Sequence, residues 1–146
     1  MDRERALELL RGGADRVAQW NRWRVRKAEV PDLAHSDLAN ADLSGADLSG
    51  VDLHASDLRG AKLTGANLEH ADLHRSNLRS ADLSRAVLRS ANLRAANLGN
   101  ASLFGTDLRH ANVRRASLRS AEADHETRWP DGFEPSSHGI EPWPTP

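Results

Sequence analysis

The 146-residue chain has no cysteine and no tyrosine. Without cysteine there is no disulfide framework, no thiolate metal site and no cysteine nucleophile. Aromatic residues make up 4% of the chain and hydrophobic residues 38%, which is little for a globular core. No apolar run approaches the ~20 residues that cross a bilayer, and the opening MDRERALELL carries charges where a secretion signal needs an apolar stretch. These absences predict a soluble, cytoplasmic chain. The few large side chains are unevenly placed. Trp20, Trp23, Trp129 and Trp143 all lie outside residues 31–120, a stretch whose only aromatic is Phe104.

That stretch holds a repeat. From Pro31 to Ser120 the chain divides into eighteen consecutive five-residue units without insertion or deletion. Leu stands at the centre of every unit but one, which has Val113. Two residues before it is a small residue, mostly Ala. The residue just before the centre is mostly Asp or Asn, and the last two are polar, charged or Gly. A period of five fits neither an amphipathic helix nor a flat alternating strand. Within a unit, Ala-x-Leu alternates as a half-buried strand does, and the next two residues break the alternation. The chain must bend once per unit so that the next Ala-x-Leu faces the same interior.

The pattern predicts an all-β solenoid of very short strands joined by tight corners. Its core stack comprises Leu38, Leu43, Leu48, Leu53, Leu58, Leu63, Leu68, Leu73, Leu78, Leu83, Leu88, Leu93, Leu98, Leu103 and Leu108, layered with alanine. Such a tube is too narrow for aromatic rings. The recurring Asp and Asn are expected to bond to corner backbone rather than to act as catalytic carboxylates. Spacing alone leaves the number of units per coil open. One clue favours four: Ser36, Ser56 and Ser76 recur twenty residues apart, as do His54 and His74, Arg94 and Arg114, and Gly45 and Gly65.

The run ADLSGADLSG, continued by ANLEHADLHRSNLRSADLS, strongly resembles the pentapeptide-repeat proteins, whose consensus is A(D/N)Lxx. The resemblance covers residues 31–120. It implies a right-handed quadrilateral β-helix with four units per coil. Eighteen units then make four and a half coils, a rod of about 22 Å.

A stacked rod needs its ends closed. Residues 1–30 are expected to form a helical cap. Leu7, Leu10, Ala14, Val17 and Trp20 recur at helical spacing, Asp2 can serve as N-cap, and Gly12-Gly13 divides the segment into two helices. Trp20 and Trp23 are expected to lid the first coil. The stretch WNRWR is similar to a lead-in found ahead of some bacterial pentapeptide runs. The β-helix is expected over 31–125 and a C-terminal cap and Pro-rich tail over 126–146. There, Pro130-Asp131-Gly132 signals a turn that lets Trp129 and Phe133 fold over the last coil.

The net charge of −1 conceals segregation. Residues 1–30 carry +3, residues 31–60 carry −5, residues 61–120 carry +6 and residues 121–146 carry −5. With four units per coil, His54, His74, Arg94 and Arg114 share one face, with Arg75 and Arg115 beside them. Arg59, Arg79 and Arg119 share the next. A third, nearly neutral face carries Phe104 with Ser44, Thr64 and Ser84, and the fourth carries Arg89 and Arg109. Like charges stacked at strand spacing repel unless neighbouring Asp or Asn side chains compensate. The arginines serve either solubility or an anionic partner. The acidic tail is also placed to fold back onto the basic half.

No Gly-rich phosphate loop, HExxH or GxSxG motif occurs. Arg75 and Arg94 beside the His54–His74 pair disfavour a cation there. The chain is read as a non-enzyme with no catalytic, cofactor or metal residues. The expected function is a binding or scaffold module that offers flat β faces to a macromolecular partner, a protein first of all. The candidate contacts are Arg59, Arg75, Arg79, Arg94, Arg114, Arg115, Arg119 and Phe104. Two alternatives stand beside this. The resemblance implies a duplex-DNA mimic that binds gyrase, a type II topoisomerase, and protects it from inhibitors. The arginine ladders suggest direct nucleic-acid binding, which a steep salt dependence would reveal. Capped ends favour a monomer, and a smooth face would allow a side-to-side homodimer.

Overall fold

A computed structural model describes residues 1–26 and 29–141. Two helices, α1 (Arg3–Arg11) and α2 (Ala14–Arg24), precede a four-sided stack of coils. Parallel backbone bridges join residues twenty positions apart, from Asp37 with Asp57 through to Ser102 with Glu122. One coil is therefore four five-residue units. The pairings are single bridges rather than long strands because each straight segment is interrupted by a two-residue turn.

The unit Ala71–Arg75 accounts for each of its five N–H groups. Ala71 closes the preceding corner on the Leu68 carbonyl (3.0 Å), and Asp72 donates to Val51 in the coil below (3.0 Å). Leu73 and Arg75 donate to Asn92 and Arg94 in the coil above, at 2.8 and 3.0 Å. The fourth N–H, on His74, lies in the turn and has no neighbouring coil to bond. The Asp72 carboxylate accepts it at 3.0 Å. Every Asp or Asn at the second position accepts in this way from the residue two further on, from Asp32 to Asn112. An unmet buried or half-buried N–H is costly, so the repeat keeps a side-chain acceptor at this point.

Each corner also needs a left-handed residue. All eighteen fifth positions from His35 to Ser120 have positive φ, between 55° and 66°, and only five of them are Gly. At Ala95 (φ 58°) the methyl is exposed, so the strain has no compensating packing. Ala95→Gly is expected to raise stability by roughly 0.5–1 kcal/mol in urea unfolding. An unchanged or lower midpoint would show that these corners relax without strain.

The interior is the expected stack. Leu38 through Leu108 are buried, at no more than 1% exposure, and the alanines at the first position of the intervening units are buried with them. The inward polar residues bond to backbone. Ser56 Oγ donates to the Leu33 carbonyl (3.0 Å), Ser76 Oγ to Leu73 (2.7 Å) and Thr106 Oγ1 to Leu83 (2.8 Å).

At the N-terminal end Asp2 caps α1, accepting from the Arg5 N–H (2.9 Å), and Gly12 and Gly13 separate the helices. The buried cap residues are Ala6, Leu7, Leu9, Leu10, Val17 and Trp20. Ala14, expected on the apolar stripe, is exposed, because the glycine break resets the helical phase and α2 begins there. Trp20 is fully buried, and Trp23 packs against it at 5.3 Å between ring centroids.

The cap also replaces a missing coil's hydrogen bonds. The Arg3 guanidinium donates to the carbonyls of Asp32 (2.8 Å) and Ala34 (2.7 Å), and Arg11 to Asp37 (2.8 Å). Trp20 Nε1 donates to Asp47 (2.8 Å) and Arg24 to Ser49 (2.5 Å). Asn21 Oδ1 accepts from the Asp47 N–H (2.8 Å), a donor that in later coils reaches the coil below.

At the other end the ladder continues past Ser120. After Ser102–Glu122 the next bridge is Asp107–Arg128, twenty-one positions apart, so one residue is inserted. Asp124 absorbs it. Its carboxylate accepts from the N–H groups of Gly105 (3.0 Å), Glu126 (3.1 Å) and Thr127 (3.1 Å). Trp129 then stands at a Leu position, half-buried, and stacks on Phe133 at 4.8 Å, which stacks on His138 at 4.4 Å. Ile140 is buried. Trp143 lies outside the described residues. No ion pair joins Asp131, Glu134 or Glu141 to the basic half among the described residues, so the expected fold-back of the acidic tail finds no salt bridge there.

Candidate functional site

The twenty-residue coil sorts outward side chains into columns. Turns fall at the fourth and fifth positions of each unit, so arginines there line the edges of the rod. Arg75, Arg94, Arg114 and Arg115 lie along one edge, and Arg59, Arg79 and Arg119 along the next. Between these edges runs a flat face whose second-position residues are Asp37, Asp57, Asn77, Asn97 and Ser117. The floor thus changes from carboxylate to neutral amide and hydroxyl along the axis. A groove of about 530 Å³ on this face is lined by Arg59, Gly60, Asn77, Arg79, Ser80 and Asn97, with Ala39 and Asn40. A second, of about 230 Å³, lies between Arg79 and Arg119.

Carboxylates neutralise some arginines and not others. Arg59 Nη2 meets Asp57 Oδ2 at 2.5 Å, and Arg109 Nη2 meets Asp107 Oδ2 at 2.7 Å. Arg89 sits 3.4 Å from Glu69 and 3.7 Å from Asp107. Hydrogen bonds from Arg59 and Arg109 hold the Asp57 and Asp107 carboxyls below the usual range, and the two guanidiniums are held above theirs. Among the described residues, Arg75, Arg79, Arg94, Arg114, Arg115 and Arg119 have no carboxylate within ion-pair distance.

The other candidates separate. His54 Nδ1 lies 2.7 Å from Asp52, whose carboxylate holds the imidazole above its usual range. Its ring meets His35 edge-on at 4.8 Å, a contact the twenty-residue columns do not predict because His35 occupies a fifth position. Phe104 is half-buried rather than a projecting aromatic. No repeat marks Arg3, Arg11, Asn21 and Arg24 as end caps, although all four bond to backbone of the first coil. Only their density ahead of the first unit could have marked them.

Asp82 shows what the carboxylates do for the rod. Burial raises its pKa, and hydrogen bonds from Ser84 and Thr64 outweigh that, leaving it below the usual range. A depressed folded-state pKa gives stability that is present above the unfolded pKa and lost as pH falls through the folded one. Thermal midpoints should therefore fall below about pH 4. Asp82→Asn, which keeps an acceptor for the Ser84 N–H, should flatten that decline. Asp82→Ala should cost about 1–3 kcal/mol at neutral pH. An identical acid profile for Asp82→Asn and the parent would exclude this contribution.

A stack of four-unit coils with Asp or Asn turn acceptors and a Leu/Ala core defines a pentapeptide-repeat solenoid. The sequence profile described as "Pentapeptide repeats" matches in eight copies across residues 32–65, 56–94 and 81–119, and the chain belongs to this family. Proteins of the family form right-handed quadrilateral β-helices. Among solved structures, a pentapeptide repeat protein from the cyanobacterium Cyanothece 51142 is 38% identical, with a TM-score of 0.57 over 70% of this chain and 67% of that one. One from Nostoc Pcc 7120 is 32% identical, with a TM-score of 0.48 over 90% of this chain and 96% of that one. QnrB1, a plasmid-mediated fluoroquinolone resistance protein, is 17% identical with a TM-score of 0.35 over 66% and 73% of the two chains. No curated protein matches the chain. Among the described residues no helix is long and apolar enough to cross a membrane.

Proposed function

We propose that the chain is a non-enzymatic, cytoplasmic binding module that presents the arginine-edged face of its last three coils to an acidic surface of a protein partner. The observation that carries this reading is the division of the arginines. Those over the aspartate-bearing floor, or beside Asp107, are neutralised within the rod, whereas Arg75, Arg79, Arg94, Arg114, Arg115 and Arg119 are not. Stacked like charges repel, and a partner's carboxylates relieve that repulsion. The filled Leu/Ala interior supports surface presentation over catalysis. Duplex mimicry needs acidic faces, and residues 61–120 carry ten basic groups against four acidic ones. Direct nucleic-acid binding lacks the interleaved aromatics of stacking platforms.

The test is affinity capture with the parent chain, with Arg75→Glu/Arg94→Glu/Arg114→Glu, and with Arg59→Gln. A protein held by the parent should be weakened by more than about tenfold in the triple variant, and by salt, but retained by Arg59→Gln. Capture unaffected by the triple reversal would exclude this face.

A further inference from the structure

The second arginine edge has a gap. Its column reads Arg59, Arg79, Gly99, Arg119, one residue per coil. Arg59 is spent on Asp57. The later rungs place Asn77, Asn97 and Ser117 where Asp57 stands, so neither Arg79, on the Asn77 rung, nor Arg119, on the Ser117 rung, has a carboxylate on its own rung. Arg79 and Arg119 both border the buried Gly99: a Cβ there would lie 3.6 Å from the Arg119 carbonyl oxygen and 4.0 Å from the Arg79 Cγ. Arg79 and Arg119, two coils or about 10 Å apart at their backbones, thereby line one depression of about 230 Å³. Its other walls are Asn97, Asn100, Ser117 and Ser120, with Gly99, and none of them is acidic.

Two arginines lining one small space whose walls carry no counter-charge repel each other, and an oxyanion there would attract both. The Asn97 carbonyl oxygen is already committed to the Gly99 N–H (2.9 Å), which leaves its amide to donate. Ser117 and Ser120 add hydroxyl donors. Planar guanidinium forks suit tetrahedral oxyanions better than point cations do. We propose that the Gly99 notch is a binding site for a phosphate group, held between Arg79 and Arg119. The site takes phosphate whether it arrives free or on a phosphorylated protein segment, so it goes beyond the partner-binding reading.

The full chain would be titrated with inorganic phosphate at low, constant ionic strength and followed by amide NMR, with chloride as the reference salt. Saturable shifts are expected at Gly99, Asn100, Ser117 and Ser120. Arg79→Gln and Arg119→Gln should each weaken binding about tenfold, and Arg59→Gln by no more than about twofold. Neither the Arg79 nor the Arg119 guanidinium bonds to the rod among the described residues, so both variants should keep the parent's circular dichroism. A phosphoserine peptide and its unphosphorylated form distinguish the sources. Tighter binding of the phosphopeptide than of phosphate assigns the site to a modified protein, and equal binding assigns it to free phosphate. The absence of saturable shifts around Gly99, or equal weakening by Arg59→Gln and Arg79→Gln, would overturn the site.

Discussion

Trp20→Ala is expected to cost about 3–5 kcal/mol and to lower the thermal midpoint by roughly 10–15 °C. Trp20 is fully buried at the junction of α2 and the first coil. Its ring covers apolar side chains that no earlier coil covers, and its Nε1 donates to the Asp47 carbonyl at 2.8 Å. Alanine therefore removes a large apolar contact and leaves a half-buried acceptor without its donor. Because coils touch only their neighbours, the loss should begin at the N-terminal end. Hydrogen exchange should accelerate first in residues 31–50 and last in the C-terminal coils. Trp23→Ala, at a half-buried position, should cost less than half as much. A Trp20→Ala midpoint within about 2 °C of the parent would show that the helices are not what closes this end.

The second large effect depends on position along the axis. Leu68 and Val113 both occupy the central position of a unit, and the sequence pattern ranks them alike. Leu68 lies in the middle of the stack with no exposure, whereas Val113, in the last coil, is half-buried. Leu68→Ala should cost about 2–5 kcal/mol, because rigid rungs above and below leave the cavity open. Val113→Ala should cost roughly 1 kcal/mol or less. Urea unfolding of the two variants measures the difference. Equal costs would mean that the C-terminal end is as well covered as the middle.

What the sequence made legible was whatever recurs. The leucine stack, the four-unit coil and the Asp/Asn turn acceptors follow from a pattern in which each unit answers the same local physics. Arg3, Arg11, Asn21 and Arg24 were not legible, because each answers a single loose end of the first coil. The inserted residue before Thr127 was hidden as well. In the unit AEADH, Ala123 replaces Leu, and the resumption of the ladder at Arg128 depends on Asp124 gathering three N–H groups. The split among the arginines also needed coordinates, since Arg59 and Arg79 have similar local sequences and differ by Asp57 against Asn77.

The twenty-residue coil gives the surface a phase. A side chain's direction around the rod is fixed by how many units precede it, counted modulo four. Removing one whole unit near residue 55 would leave every leucine facing inward, yet turn all later columns by a quarter revolution relative to the N-terminal helices. The Arg79 and Arg119 edge would then face where the Arg94 and Arg114 edge now does, and the Arg89 and Arg109 column where the neutral Ser/Thr column now does, with composition almost unchanged. A partner that grips both the helical cap and the arginines would sense that rotation, and one that grips the arginines alone would not. Unit-length indels thus act on this molecule as a dial, while indels of other lengths act on its core.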